Sequence, residues 1–371
     1  MSVFDLVQPV TKESILESSL YFGLFFLFQF LGAKFFPSIS GYGFPTPQKT
    51  RKDYELTGLQ MFFVTQITYI VARILFGFSL EILIRNFWSF FTVVNVFSIG
   101  FSIFLYIKGK LNKSPKFENT SFLPDFLFEF WCGMELNPTL FGVDLKMFFY
   151  QPSLLGMHLF VISFAEYQHT RYGLSTQMIL LQVFIWLYLF THYIKEEFML
   201  STWDIIEEHF GFMLVWGDMI YVPFWYSVVG WFVADSTENY GMPYYLFVVL
   251  LHLFGHFIFR VSNWQKYVYK RYGKNSTFLG QKCVLLEDRL LISGFWGIGR
   301  HLNYSGEIIT YLTFALTSRL TSFVPYILPF SLLILLSQRA WRDDQRCSSK
   351  YKELWQKYCK IATFKMIPGV Y

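Results

Sequence analysis

The chain of 371 residues is 54% hydrophobic and 22% aromatic, and only 15% of its residues are charged. Soluble domains carry about 25% charged residues, so this balance excludes an ordinary water-soluble protein and points to the membrane. The net charge of +5 is unevenly held: residues 260–371 contain 17 of the 31 Lys and Arg but 6 of the 26 acids, a net of +11, which leaves −6 on the preceding 259. Basic loops beyond residue 260 are therefore expected to face the cytoplasm, where the same charge would attract a polyanionic cofactor.

Apolar runs that approach the ~20 residues of a spanning helix occur at 19–36, 59–77, 88–107, 153–165, 176–194, 210–234 and 242–259. Two shorter runs, 307–316 and 322–337, are flanked by basic stretches and suit a hairpin that returns to the cytoplasmic side. Segment 117–132 is interrupted by Pro124, Asp125 and Glu129, so it reads as re-entrant or interfacial. The connector 36–58 strings together Pro37, Gly41, Gly43, Pro45 and Pro47 with Lys49, Arg51 and Lys52 and is expected to be irregular. Lys12 and Glu13 precede the first run, which has no small-residue cleavage site and reads as a retained anchor. Only helices or closed barrels satisfy the backbone in lipid. The expected fold is an all-α polytopic membrane protein of eight to ten transmembrane helices without strands of consequence. Residues 1–259 would form the scaffold and 260–371 a cytosol-facing cofactor module with a short membrane hairpin.

Ionisable groups inside such helices are costly and mark candidate sites. Asp218 lies in FGFMLVWGDMIYVPFWYS, and Pro223 five residues on would kink the helix and free a carbonyl beside Tyr221, Trp225 and Tyr226. A structural hydrogen bond for Asp218 and plain core packing for Tyr226 are the competing readings. Asp204 reads as a helix N-cap. His252 and His256 are spaced i, i+4 on an apolar helix but have no third ligand at a matching spacing, so no metal is expected. Arg73, Glu166 and His169 fall near helix ends, where they can snorkel. The four cysteines, Cys132, Cys283, Cys347 and Cys359, form no CxxC pair.

Two basic segments carry the cofactor reading. LLISGFWGIGRHLNY sets Gly294, Gly297 and Gly299 among Phe295 and Trp296, then gives Arg300, His301, Asn303 and Tyr304. Glycine admits close backbone approach, Arg and His suit phosphate, and indole or phenol gives a stacking face. An interfacial turn rich in Trp, Tyr and Arg is the competing reading. QRAWRDDQRCSSKYKELWQKY then presents Arg339, Arg342, Asp343, Arg346, Lys350 and Tyr351 at spacings of three and four, which gathers cations on one helical face.

GFWGIGRHLNYSGE, RAWRDDQRCSSKY and the ending KMIPGVY resemble the signatures of the sterol reductases, the family of Δ14-, Δ7- and Δ24(24¹)-sterol reductases and the lamin B receptor. FWCGMELNPTLFGVDLKMF, STWDIIEEHFGFMLVWGDMIYVPFWYS and FRVSNWQK are similar to further motifs of that family, so the resemblance covers roughly residues 54–371. It implies an integral membrane enzyme that uses NADPH to saturate a sterol C=C bond. It further implies cofactor contacts at Lys266, Lys270, Leu291, Trp296, Asn303, Tyr304, Asp343, Cys347, Lys350, Tyr351 and Tyr358. Lys270 stands where relatives often carry Arg, Lys352 replaces a Gly, and Glu307 replaces an Asp. Phe295, Trp216 and the Ile367–Gly369 stretch favour the Δ7 type, with Δ14 and Δ24(24¹) as alternatives.

An isolated alkene accepts hydride only once it is protonated, so the implied chemistry needs a weak acid on one side of the bond. Tyr226 is the expected donor, with Asp343 orienting or relaying the proton and Asp218 tuning the network. The sterol would enter an apolar cavity among the later helices from lipid, and no nucleic acid is expected as a partner. The membrane implied is the endoplasmic reticulum of a eukaryote or the cytoplasmic membrane of a bacterium. Two rivals are a sterol-binding scaffold without turnover, disfavoured because few residues precede the first helix, and an isoprenylcysteine-type methyltransferase using S-adenosylmethionine.

Overall fold

The computed structural model describes residues 2–46, 51–114 and 123–370. Pro47, Lys49 and the start of segment 117–132 lie outside them. The chain divides into two units, Met1–Thr237 and Glu238–Tyr371. The break expected at residue 260 falls inside a helix, because the apolar run at 242–259 and the basic stretch after it form one continuous rod.

The first unit opens with α1 (Lys12–Phe35), whose start is fixed by a reciprocal cap: Ser14 N–H donates to the Thr11 hydroxyl at 3.1 Å, and Thr11 N–H to Ser14 Oγ at 2.9 Å. Leu16, Leu20, Leu24 and Leu27 of this helix are all more than half exposed, which in a membrane is the lipid-facing side. The connector holds a hairpin, β1 (Ile39–Tyr42) against β2 (Asp53–Leu56). Alternation in β2 turns Tyr54 and Leu56 inward and Asp53 and Glu55 out, so a stretch expected to be irregular is partly ordered by period-two burial. There follow α2 (Gly58–Phe76), the short α3 (Glu81–Arg85), α4 (Phe87–Leu111) and α5 (Asp125–Cys132). The hairpin of β3 (Thr139–Leu140) and β4 (Val143–Asp144) leads into α6 (Leu145–Tyr172), the most buried helix of the unit. After α7 (Thr176–Ile194) come α8 (Trp203–Ile206), α9 (Phe212–Trp216), a π-helix (Gly217–Trp225) and α10 (Val229–Val233). Interlocked Phe rings form the core, among them Phe149 and Phe210 with centroids 5.1 Å apart.

The second unit is built on α11 (Met242–Tyr272). Beyond it lie the hairpins β5 (Thr277–Phe278) with β6 (Gln281–Lys282) and β7 (Leu285–Leu286) with β8 (Leu290–Leu291). α12 (Phe295–Ile298), α13 (Leu302–Leu316), α14 (Val324–Tyr351) and α15 (Glu353–Ile361) complete it. α14 unites the apolar run 322–337 with the cationic stretch that follows in one helix of 28 residues. α13 packs along α11, but its 15 residues reach only ~22 Å at ~1.5 Å per residue, short of a ~30 Å hydrocarbon core.

Among the described residues eight helical stretches are long and apolar enough to cross a membrane: α1, α2, α4, α6, α7, the 212–233 run, α11 and α14. Strands are confined to two-stranded hairpins. Glu166 and Arg73, expected to reach toward the interface, meet each other at 2.8 Å, and Glu166 is buried; His169 is exposed in the last turn of α6.

Candidate active site

In the first unit the regular helix gives way at the π-helix Gly217–Trp225, with Pro223 inside it. In an i→i+5 ladder the N–H of residue 223 would return to the carbonyl of residue 218. Proline has no N–H, so the Asp218 carbonyl loses its i+5 donor, and the expected kink takes the form of a π-turn, a feature frequent at functional sites. The Ser227 hydroxyl donates to the Pro223 carbonyl at 2.7 Å, and the Tyr226 N–H closes on the Val222 carbonyl at 3.2 Å. The Asp218 side chain is buried, and the charges of Asp204 and Lys146 reach it. Lys146 is wholly buried, and its ammonium donates to the carbonyls of Asp204, at 2.7 Å, and Glu208. Asp204 is therefore not the expected cap: Thr202 holds the N-cap position of α8, and Asp204 contributes its carbonyl to Lys146. Tyr226 is 9% exposed, its ring edge-on to Tyr221 with centroids 5.3 Å apart. The Trp216 indole donates to Asn95 Oδ1 at 3.0 Å.

In the second unit a clamp on α11 shapes the glycine-aromatic loop. The Gln265 amide donates to the Ser293 carbonyl at 3.0 Å, and its oxygen accepts from the Phe295 N–H at 3.1 Å. Between them Gly294 adopts φ 59°, ψ −134°. That region belongs to glycine, and an added Cβ would collide with the Gln265 carboxamide. Gly294→Ala is expected to cost about 1–3 kcal/mol, read as a lower unfolding temperature of the purified protein. An unchanged transition would show that the Gln265 clamp does not constrain Gly294.

Trp296 is fastened on three sides. Its indole N–H donates to the Ser262 carbonyl at 3.0 Å, its own carbonyl accepts from the Tyr358 hydroxyl at 2.9 Å, and the Lys266 ammonium lies 4.5 Å from its ring centroid. Leu291, Phe278 and Cys283 pack beside it. Arg300, expected to meet phosphate, is buried and engaged within the protein: Nη1 donates to the Ala362 carbonyl at 2.9 Å, its N–H to the Phe364 carbonyl at 3.0 Å, and Nε lies 3.7 Å from Asp344. Asp344 also faces Lys365 at 3.6 Å.

His301 stacks on Tyr304 with centroids 5.0 Å apart, and its Nε2 lies 3.7 Å from Asp343. Burial pushes the imidazole down to about 4 although Asp343 pulls the other way, so it is neutral at pH 7. The unfolded chain takes up this proton near pH 6.5 and the folded one only near 4, so the contribution is fully present above 6.5 and is lost as pH falls toward 4. Thermal stability is expected to decline over that window, and His301→Gln to show less of the decline; equal slopes would contradict the assignment.

The Asn303 amide donates to Asn263 at 3.1 Å, while its Oδ1 is buried with no hydrogen-bond partner among the described residues. Asp343 lies 3.8 Å from Arg346. Cys347 packs with Tyr351, Trp355 and Tyr358, and the charges of Asp343 and Lys266 reach it. Lys266, Trp296, His301, Tyr304, Asp343, Cys347 and Tyr358 thus share one neighbourhood, with Asn303 and Leu291 at its edge. Lys270 and Lys350 are exposed, Lys350 lying 5.2 Å from the Tyr351 ring, and Arg339 is half-buried. Gln265, Asn263, Asp344 and Lys365 escaped the sequence reading. The first two stand inside FRVSNWQK, where polar residues on an otherwise apolar helix were the available signal.

His252 Nδ1 meets Thr313 Oγ1 at 2.8 Å across α11 and α13, and its ring stacks on His256. Among the described residues no three His, Cys, Asp or Glu side chains are grouped to hold a metal.

Among the described residues, eight apolar spans mark a multi-pass membrane protein. The chain belongs to the ergosterol biosynthesis ERG4/ERG24 family, whose model matches residues 6–371. It is 36% identical over 280 residues to the Delta(14)-sterol reductase of Arabidopsis thaliana, covering 74% of this chain and 75% of the relative. Against the Delta(14)-sterol reductase of Dictyostelium discoideum the identity is 36% over 375 residues, 97% of this chain and 78% of the relative. Against the 7-dehydrocholesterol reductase of Danio rerio it is 31% over 345 residues, 89% and 72%.

Proposed function

We propose that the chain reduces a ring carbon–carbon double bond of a sterol with NADPH. The observation that carries the cofactor is Asn303 Oδ1, a buried acceptor without a hydrogen-bond partner among the described residues, in the unit that also presents a lysine-capped indole. A carboxamide or ribose hydroxyl would satisfy that oxygen. Lys266, Lys270 and Lys350 supply cations for phosphate, as point charges rather than bidentate forks. When bound, NADPH supplies hydride.

This chain's own residues do the rest. Tyr226 holds the proton at its buried phenolic oxygen and delivers it to the alkene. Asp218 and Lys146 set the electrostatics of the helix that carries Tyr226. Asp343 keeps His301 oriented beside Tyr304, so the aromatic wall is rigid.

The C14 double bond is the first choice of substrate. Both relatives at 36% identity bear that name, one of them aligned to 97% of the chain, while the Danio rerio 7-dehydrocholesterol reductase stands at 31%. The two aromatics that pointed to C7 have local explanations: Trp216 donates to Asn95, and Phe295 packs edge-on against Phe257 with centroids 6.2 Å apart. The membrane proposed is the endoplasmic reticulum of a eukaryote or the cytoplasmic membrane of a bacterium, with the basic second unit toward the cytosol.

The test supplies purified protein with NADPH and either a Δ14-sterol or 7-dehydrocholesterol and identifies products by mass spectrometry. Saturation of the Δ14-sterol is expected; turnover of 7-dehydrocholesterol alone would reassign the bond. Thermal stabilisation by S-adenosylmethionine but not by NADPH would overturn the reading.

A further inference from the structure

The first unit contains an apolar groove of about 390 Å³ that neither Asp218 nor Tyr226 lines. Its walls are α1, α2, α3 and α4, and its floor is α6 with one face of the π-helix. Exposed Leu24 and Thr68 stand at its mouth, so it opens where lipid lies. Its depth depends on Gly156: a Cβ there would point at Pro223, 3.7 Å away, and a longer side chain would fill the space. Met219, Pro223 and Phe224 of the π-helix line the groove, whereas Asp218, Tyr221 and Tyr226 do not.

The groove is largely apolar, its polar lining being Tyr21, Thr65, Thr68 and Tyr69, and Thr65 Oγ1 already accepts from the Gln29 amide at 2.9 Å. The Tyr69 hydroxyl donates to Glu166 Oε2 at 3.1 Å, and Glu166 is held in turn by the Leu80 N–H at 2.8 Å and by Arg73 at 2.8 Å. With its proton committed to Glu166, the Tyr69 oxygen presents lone pairs as a fixed acceptor. A phosphate headgroup there would face the Glu166 carboxylate, but a neutral hydroxyl would donate to Tyr69. A pocket of this volume lies in the range that takes small molecules. The chemistry that matches is a rigid apolar body with one terminal hydroxyl.

We propose that this groove is a second, lipid-accessible sterol site, with the sterol hydroxyl on Tyr69 and its body against Gly156 and Pro223. Its occupant touches the wall of the helix that bears the candidate proton donor, on a different face.

The test places the full chain in phosphatidylcholine nanodiscs with a photoreactive diazirine sterol and maps the label by mass spectrometry. NADPH oxidation is followed in the same preparations. Saturable labelling of α2 and α6 peptides is expected, displaced by unlabelled sterol. Gly156→Leu should cut it at least tenfold. Thr68→Trp, at an exposed position that leaves packing alone, should do the same by blocking the mouth. Tyr69→Phe should weaken it about two- to tenfold, the effect of one neutral hydrogen bond. Labelling unchanged in both blocking variants, or displaced equally by phospholipid, overturns the proposal. Turnover retained in Thr68→Trp while labelling is lost supports a site separate from the substrate's; turnover abolished in parallel makes the groove the substrate's own and also overturns it. A chain without reductase activity would sink the proposed function while leaving the labelling result to stand or fall alone.

Discussion

Tyr226→Phe is expected to lower turnover about 10²- to 10⁴-fold, the range that a positioned general acid contributes, while NADPH binding stays within about twofold of the parent. The change deletes one oxygen and keeps the ring, so the edge-on packing against Tyr221 survives. Loss of a proton donor used only in the transition state lowers kcat and kcat/KM together, whereas a lost packing contact or sterol-binding contact would raise KM. Asp218→Asn should fall between the two, because the carboxylate acts on the helix and not on the alkene. Turnover of the Tyr226→Phe protein equal to that of the parent would remove the phenol as the acid. Turnover lost together with a large fall in melting temperature would mark Tyr226 as structural.

The spans were legible because twenty apolar residues in a row have few other solutions, and α7 occupies the very residues that hydropathy predicts. The lengths of α11 and α14 were not legible in the same way. Hydropathy ends where charge begins, but helix propensity does not, and the long Lys, Arg, Gln and Trp side chains after residues 259 and 337 continue the helix outward. The π-helix was half visible: Pro223 announced a disturbance, but the choice of a wider turn over a kink depends on how α6 packs against it. In the second unit the residue types of the loop were readable, and Trp296, His301, Tyr304 and Asp343 do converge. What was hidden was direction. Arg300 follows glycine and precedes histidine in a loop suited to an anion, yet its guanidinium turns toward Ala362, because the C-terminal segment pairs with it through Gly299 and Phe364. A contact between residues sixty apart leaves no mark in local composition. Lys146 escaped notice for a similar reason, since its three carbonyl partners come from a turn some sixty residues later.

Arg300→Met separates the two roles that this arginine can play. The side chain is 7% exposed and satisfies the Ala362 carbonyl, and its charge offsets Asp344. Methionine keeps most of the volume but leaves a buried carbonyl unpaired and Asp344 with Lys365 alone. Removing one partner of a buried charged pair costs about 3–5 kcal/mol; Asp344 is a fifth exposed, which places the expectation at the lower end. Because Arg300 and the Tyr358–Trp296 bond anchor the same C-terminal segment, loosening it should free the Trp296 loop. The expected result is a marked fall in melting temperature with NADPH and NADH affinities weakened by the same factor. An arginine that gripped the extra phosphate would behave otherwise: the variant would melt normally, bind NADH as before and lose NADPH selectively. That second outcome would turn the guanidinium away from Ala362 in solution and restore the phosphate role that the loop's composition first suggests.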